Sequence, residues 1–114
     1  MDIQDLEKNY YIQRENVLKL EKLGLLTNIP NINGRKEYDE DNLHQMMEMI
    51  HLMNLGFDDQ TLVDYYTKND MQVYILKKIR VNILKQVHSF QKKLDDIDYM
   101  IYKKEKACQK EKVR

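Results

Sequence analysis

Residues that break or cross-link a chain are scarce in this sequence. Its 114 residues include only three glycines, one proline and one cysteine. That cysteine, Cys108, cannot form an internal disulfide, and alone it cannot build a zinc site of several thiolates. No run of residues reaches the roughly 18 apolar positions that a membrane span needs, and the first residues do not have the form of a secretory signal. We therefore expect a mostly helical cytoplasmic protein with no membrane partner.

An excess of charge of one sign is also missing, since 19 Lys and Arg balance 19 Asp and Glu. This balance argues against a generic polyanion binder, whose affinity for nucleic acid normally begins with excess basic residues. The balance is uneven along the chain. Residues 1–66 hold six basic and thirteen acidic groups, whereas residues 67–114 hold thirteen basic and six acidic groups. The chain therefore has an acidic amino-terminal part and a basic carboxy-terminal part.

The few glycines and the proline divide the acidic part into short elements. Asp2 can cap a first short helix. A second helix is predicted from about Gln13 to Leu23, and Gly24 is a suitable residue to end it. A tight connection near Tyr10 would join the two helices, which is a helix-turn-helix pattern.

A hairpin and two further helices are predicted after this pair. Asn33-Gly34 favours a two-residue turn with positive φ at both positions, which predicts a small two-stranded wing. A third helix is predicted from about Glu40 to Asn54, and a short fourth helix after a cap at Asp58-Asp59. Steps of three and four residues assign the buried face of the third helix to Leu43, Met46, Met47, Ile50 and Met53.

From Asp70 onward the sequence has no glycine or proline, and apolar residues recur at alternating steps of three and four. This heptad repeat forms one seam: Leu76, Ile79 or Arg80, Ile83, Val87, Phe90, Leu94, Ile97 and Ile101. A lone helix would expose the seam to water, at a cost of about 1.5–3 kcal/mol for each large side chain. We therefore predict a coiled coil, and its simplest partner is a second copy of the chain.

These elements divide the chain into three predicted parts. Residues 1–69 hold the helix-turn-helix and the wing, and residues 70–105 form the coiled-coil helix. Residues 106–114 continue without a seam as a basic tail that we expect to be disordered.

Several short motifs follow one another in a characteristic order. Ile3-x-x-Leu6 in the first helix is followed by Glu21-Lys22-Leu23-Gly24-Leu25-Leu26 at the end of the second. Asn33-Gly34-x-Lys36-x-Tyr38 then lies at the wing, and Leu55-Gly56-Phe57 follows the third helix. From Ile3 to about Tyr65 these motifs resemble the MerR (mercury-resistance regulator) family, and the coiled coil lies where that family dimerises.

The resemblance implies an all-α fold with a small β-hairpin wing: a winged helix-turn-helix followed by a long antiparallel coiled-coil dimerisation helix, in a short form without an effector-binding domain. It implies a nucleoid-associated homodimer that regulates transcription, binds a pseudo-palindromic site in double-stranded DNA and distorts the duplex. RNA polymerase or another protein is a further possible partner.

The DNA contacts that the resemblance implies lie on the second helix and the wing: Gln13, Arg14, Asn16, Lys19, Arg35, Lys36 and Tyr38. Arg14 and Asn16 are of types that read base edges. The two lysines, Arg35 and Tyr38 suit phosphate contacts.

Two alternatives stay open beside a transcription regulator. Small winged helices also bend DNA for recombinases, so an excisionase-like architectural factor is one of them. The other is a dimeric protein-interaction module that has lost DNA binding. Glu15, Leu18 and the acidic amino-terminal part favour it, because repulsion opposes binding to a polyanion. Tyr11 also stands where the family's turn has a glycine.

Catalytic and metal-binding motifs are not evident. We find no nucleophile with a base and no phosphate-cradling glycine-rich loop, so we do not expect an enzyme or a cofactor. His44, Glu48 and His51 share one side of the third helix at a spacing that could hold zinc. No convincing fourth ligand accompanies them, and we interpret them as a solvated helix face without metal.

Overall fold

The computed structural model describes residues 1–112, and the side chains of residues 1–109. The described chain is mostly helical, with one hairpin and a long carboxy-terminal helix. Its elements are α1 (Ile3–Tyr10), α2 (Arg14–Lys22), β1 (Asn31–Ile32), β2 (Arg35–Lys36), α3 (Glu40–Asn54), α4 (Asp59–Thr67), a 3₁₀ turn (Asn69–Met71) and α5 (Gln72–Lys112). No helix in this range is both long and apolar enough to cross a membrane.

Side-chain caps fix where the short helices begin. The carboxylate of Asp2 accepts a hydrogen bond from the Asp5 N–H, and the Asp5 carboxylate accepts one from the Asp2 N–H. Asp39 and Asn42 form the same reciprocal pair at the start of α3. Each such cap contributes about 1 kcal/mol to helix stability. The predicted starts at Asp2 and near Glu40 are confirmed.

The turn between α1 and α2 has a left-handed backbone at an aromatic residue. Tyr11 has φ 56° and ψ 30°, and the following Ile12 N–H donates to the Leu6 carbonyl at 3.2 Å. This conformation costs a residue with a Cβ about 1–2 kcal/mol. Burial of Ile12 immediately after the turn offsets part of that cost.

The predicted hairpin is confirmed. Asn31 pairs with Lys36 and Ile32 pairs with Arg35 in an antiparallel register. The two turn residues, Asn33 and Gly34, have φ values of 53° and 80°. Positive φ at both positions is the signature of the type I′ turn that the sequence predicts.

The four short helices share one core. Its fully buried side chains are Leu6, Val17, Leu20, Met46 and Leu62. The predicted face of α3 needs a correction, because Met47 is 50% exposed whereas Met49 and Leu52 are buried. Helix α3 contacts both α2 and α4, so its buried face is turned towards Met49 and Leu52 and away from Met47.

The long helix differs from the prediction at both ends. The chain divides into two compact units, Met1–Leu76 and Lys77–Arg114. The boundary lies beyond residue 69 because Ile75, in the first turn of α5, is buried. At the other end α5 continues to Lys112, so the helix includes most of the segment 106–114 that is predicted as a basic tail. The segment is rich in Lys, Glu, Gln and Ala, which are good helix formers. Residues 113–114 lie outside the described residues.

Candidate nucleic-acid interface

A groove of about 320 Å³ lies on the first unit, bordered by α1, α2 and the hairpin. Arg14, Arg35, Lys36 and Tyr38 line it, so the structure brings together these members of the predicted DNA-binding set. The exposed side chain of Leu18 gives the groove an apolar patch on α2.

The other predicted contacts lie elsewhere on α2. Gln13 and Asn16 line a second depression, together with Tyr11 of the turn and Met47 of α3. Lys19 lines a third, beside the start of α4. The predicted DNA-binding residues therefore line three neighbouring depressions of the first unit and do not share one groove.

Two cations of the groove have close acidic partners. The Arg14 guanidinium donates two hydrogen bonds to Oε1 of Glu7 on α1, from Nη2 at 2.8 Å and from Nε at 3.2 Å. The Lys36 ammonium donates to Oε2 of Glu21 on α2 at 2.6 Å. Both acidic residues come from helices that border the groove.

The other two predicted cations are also ion-paired. Nη1 of Arg35 lies 3.5 Å from Oδ2 of Asp2, and Nζ of Lys19 lies 3.2 Å from Oδ1 of Asp59. Every lysine and arginine in the predicted DNA-binding set therefore has a carboxylate partner. On the surface formed by α2 and the hairpin, the charge of each of these four cations is therefore balanced by a neighbouring carboxylate.

Tyr38 links the end of the hairpin to α2. The residue is only 3% exposed, and its hydroxyl donates a hydrogen bond to Oε1 of Glu21. Burial, followed by the hydrogen bond to the Glu21 carboxylate, raises the pKa of the Tyr38 hydroxyl well above its usual value. The hydroxyl for which a phosphate contact is predicted is therefore bonded to a carboxylate in this structure.

A second hydrogen bond between a tyrosine and a glutamate lies on the side of α3 that carries His44 and His51. The Tyr66 hydroxyl of α4 donates to Oε1 of Glu48 at 2.8 Å. Glu48 thus joins α4 to α3. Among the side chains of residues 1–109, no three His, Cys, Asp or Glu residues are grouped so that they could hold a metal ion.

The apolar seam of α5 is exposed in the single chain. Its predicted members are between 38% and 67% exposed: Leu76, Ile83, Val87, Phe90, Leu94, Ile97 and Ile101. Exposed apolar surface of this extent on one helix face is typical of a protein–protein contact.

Comparisons with known proteins add no family to this description. The chain matches no family model, no curated protein sequence and no solved structure.

We expect Tyr38→Phe to lower the free energy of unfolding by about 1.5–3 kcal/mol, because it removes a hydrogen bond to a charged group. Tyr10→Phe is the control, since Tyr10 is exposed and makes no hydrogen bond through its hydroxyl within the described residues. Denaturant unfolding monitored by circular dichroism measures both variants.

The effect of Tyr38→Phe on the free energy of unfolding should depend on pH. Because the pKa of Tyr38 is raised in the folded chain, its contribution is complete below about pH 10, the value for an unfolded tyrosine, and is lost as the pH rises above it. The difference between wild type and Tyr38→Phe should therefore shrink above pH 10. Equal stability of the two proteins at pH 7 would contradict the assignment.

Proposed function

We propose that this protein is a homodimeric regulator that binds double-stranded DNA through α2 and the hairpin and distorts the duplex. The observation that carries the proposal is the groove that Arg14, Arg35 and Lys36 line together. Guanidinium groups can bind phosphates or guanine edges with two hydrogen bonds, and lysines bind phosphates as point charges. A helix next to a hairpin offers both kinds of contact from one surface.

The ion pair between Arg14 and Glu7 is weak enough to exchange for a DNA phosphate. The side chains of Arg14 and Glu7 are 46% and 41% exposed. An exposed pair of this kind contributes about 0–1 kcal/mol to stability. A phosphate can therefore replace the carboxylate at small cost. The carboxylates that stay nearby repel the DNA, so we expect moderate affinity and a strong effect when one of them is neutralised.

We expect Glu7→Gln to tighten binding to a short duplex of mixed sequence, because it frees the Arg14 guanidinium. One additional phosphate contact should steepen the slope of log K against log salt concentration by about 1 for each protomer engaged. Fluorescence anisotropy at several salt concentrations measures both quantities.

Glu15→Gln is the matched control for this experiment. Glu15 is exposed on α2 and has no ion pair within the described residues, so its substitution changes the net charge without freeing a cation. An equal effect of the two substitutions would mean that DNA responds to net charge alone, and would contradict the role of Arg14.

The homodimer part of the proposal is supported by the seam of α5. The seam needs a cover of the same length and pattern, and a second copy supplies one. In a parallel in-register pair, Arg80 would face Arg80 of the second copy, which brings two cations into one core layer. An antiparallel pair instead places Arg80 beside Ile97 and Asp98 of the second copy, and Lys77 beside the same Asp98. Charge therefore favours the antiparallel arrangement.

This arrangement aligns the apolar residues in layers. Leu76 meets Ile101 of the second copy, Ile83 meets Leu94, and Val87 meets Phe90, so that these six seam positions have apolar partners, while Ile97 lies beside Arg80. Outside the core, Ile79 comes next to Met100 of the second copy. These pairings define a register that cross-linking can test.

We expect a mixture of Ile83→Cys and Leu94→Cys chains to form a mixed disulfide on mild oxidation, since these positions meet in the antiparallel register. Both chains carry Cys108→Ser, because Cys108 is exposed. Neither chain alone should cross-link efficiently. Mass spectrometry identifies the products. Efficient cross-linking within each single variant would indicate a parallel pair and contradict the register.

A second candidate function is a dimeric protein-interaction module that does not bind DNA. The ion pairing of every predicted DNA-binding cation favours it, since such a face has little net attraction for a polyanion. In that case neutralising Glu7 produces no DNA binding. The Glu7→Gln experiment therefore distinguishes the two candidates.

A further inference from the structure

The face of α5 opposite the seam carries a regular series of lysines. Lys78, Lys85, Lys92 and Lys106 stand at the same position of the heptad repeat, and Tyr99 takes the remaining place in the series. We call these four lysines the lysine stripe. In a coiled coil this heptad position lies furthest from the partner helix. All four lysines belong to the second unit, Lys77–Arg114.

The lysine stripe is exposed, and its charges are not neutralised. All four residues are exposed, and none forms an ion pair within the side chains of residues 1–109. Asp95 and Asp96 form no ion pair with Lys92 in this range, and Glu105 forms none with the adjacent Lys106. This is the opposite of the first unit, where each predicted DNA-binding cation has a carboxylate partner.

Aromatic rings contact lysines near the end of the stripe. Nζ of Lys106 lies 5.3 Å from the ring centroid of Tyr102 and 3.1 Å from its hydroxyl oxygen. Nζ of Lys103 lies 5.5 Å from the ring centroid of Tyr99. Cation–π contacts at exposed sites contribute about 0.5–1 kcal/mol and leave the positive charge available to an anion.

The spacing of the stripe suits a long, stiff polyanion. Seven residues advance an α-helix by about 10 Å, so the stripe extends over about 40 Å. The Debye length at physiological salt is about 8 Å, so the successive charges act nearly independently. Duplex DNA carries phosphates along its whole length, about one charge per 1.7 Å of axis. A rod-like row of cations can contact its backbone at several separate points.

We propose that the lysine stripe is a second binding surface, which takes the phosphate backbone of double-stranded DNA without reading its sequence. It rests on the proposed function in one respect: a second copy covers the seam and leaves the stripe outside. It does not depend on α2 or the hairpin. In an antiparallel pair the two stripes lie on opposite sides of the coiled coil, so one dimer can contact two segments of duplex.

The distribution of apolar residues favours DNA over an anionic membrane surface. A helix that lies in a membrane interface needs a free apolar face beside its lysines. Most of the exposed apolar residues of the second unit belong to the seam, which the second copy would cover. The exposed apolar residues outside the seam are scattered along the helix and do not form a continuous face: Val81, Leu84, Tyr99, Met100 and Tyr102.

The test is Lys85→Gln combined with Lys92→Gln in the full chain, with binding to a mixed-sequence duplex measured by fluorescence anisotropy over a range of salt concentrations. The control is Lys8→Gln combined with Lys68→Gln, which removes the same charge from exposed positions of the first unit that lie outside α2 and the hairpin. We expect the stripe variant to reduce the slope of log K against log salt by about 2, and the control to change it little. Circular dichroism and light scattering verify that helix content and molar mass are unchanged.

Arg14→Ala separates this proposal from the proposed function. If Lys85→Gln combined with Lys92→Gln still weakens binding to duplex in a chain that carries Arg14→Ala, the stripe binds DNA independently of the groove. This result supports the second surface even where the groove binds no DNA. The proposal is overturned by equal slopes in stripe and control variants, or by the absence of duplex binding at low salt. It is also overturned if the stripe variant loses binding to phosphatidylglycerol vesicles while its binding to duplex is unchanged.

Discussion

The carboxylate of Glu21 holds the hairpin against α2, and the geometry of the candidate interface depends on this contact. It accepts hydrogen bonds from the Tyr38 hydroxyl and from the Lys36 ammonium. The hairpin has strands of two residues each, which would not form a stable sheet alone. Its position therefore relies on side chains such as Tyr38. The same carboxylate also neutralises Lys36, so one interaction both builds the groove and reduces its positive charge.

The zero net charge of the chain hides two different arrangements of cations. In the first unit, carboxylates that position the elements also pair with the cations of the groove, as Glu7 does with Arg14. In the second unit, the four lysines of the stripe are exposed on α5 and have no such partner among the side chains of residues 1–109. If both surfaces bind DNA, the groove supplies orientation and selectivity at modest affinity, and the lysine stripe supplies the electrostatic attraction that the acidic amino-terminal part lacks.

Local signals in the sequence were enough to place most of the elements. Caps such as Asp2 and Asp39, and the Asn33-Gly34 turn, act within a few residues, so their effects can be predicted without knowing the fold. The burial of Tyr38 and the exposure of Met47 could not be predicted in this way, because they depend on which neighbours cover each helix. The ion pairs were missed for a related reason: Arg35 and Asp2 lie 33 positions apart, and only the tertiary fold brings them together.

We propose that the groove formed by α2 and the hairpin binds DNA as part of a dimer. The decisive experiment is a selection of genomic fragments bound by the purified protein, repeated at two salt concentrations. We expect a pseudo-palindromic site to be enriched, with stronger recovery at the lower salt concentration, and this enrichment to be lost in Arg14→Ala and Lys36→Ala variants. Absence of any enriched fragment at low salt would contradict it.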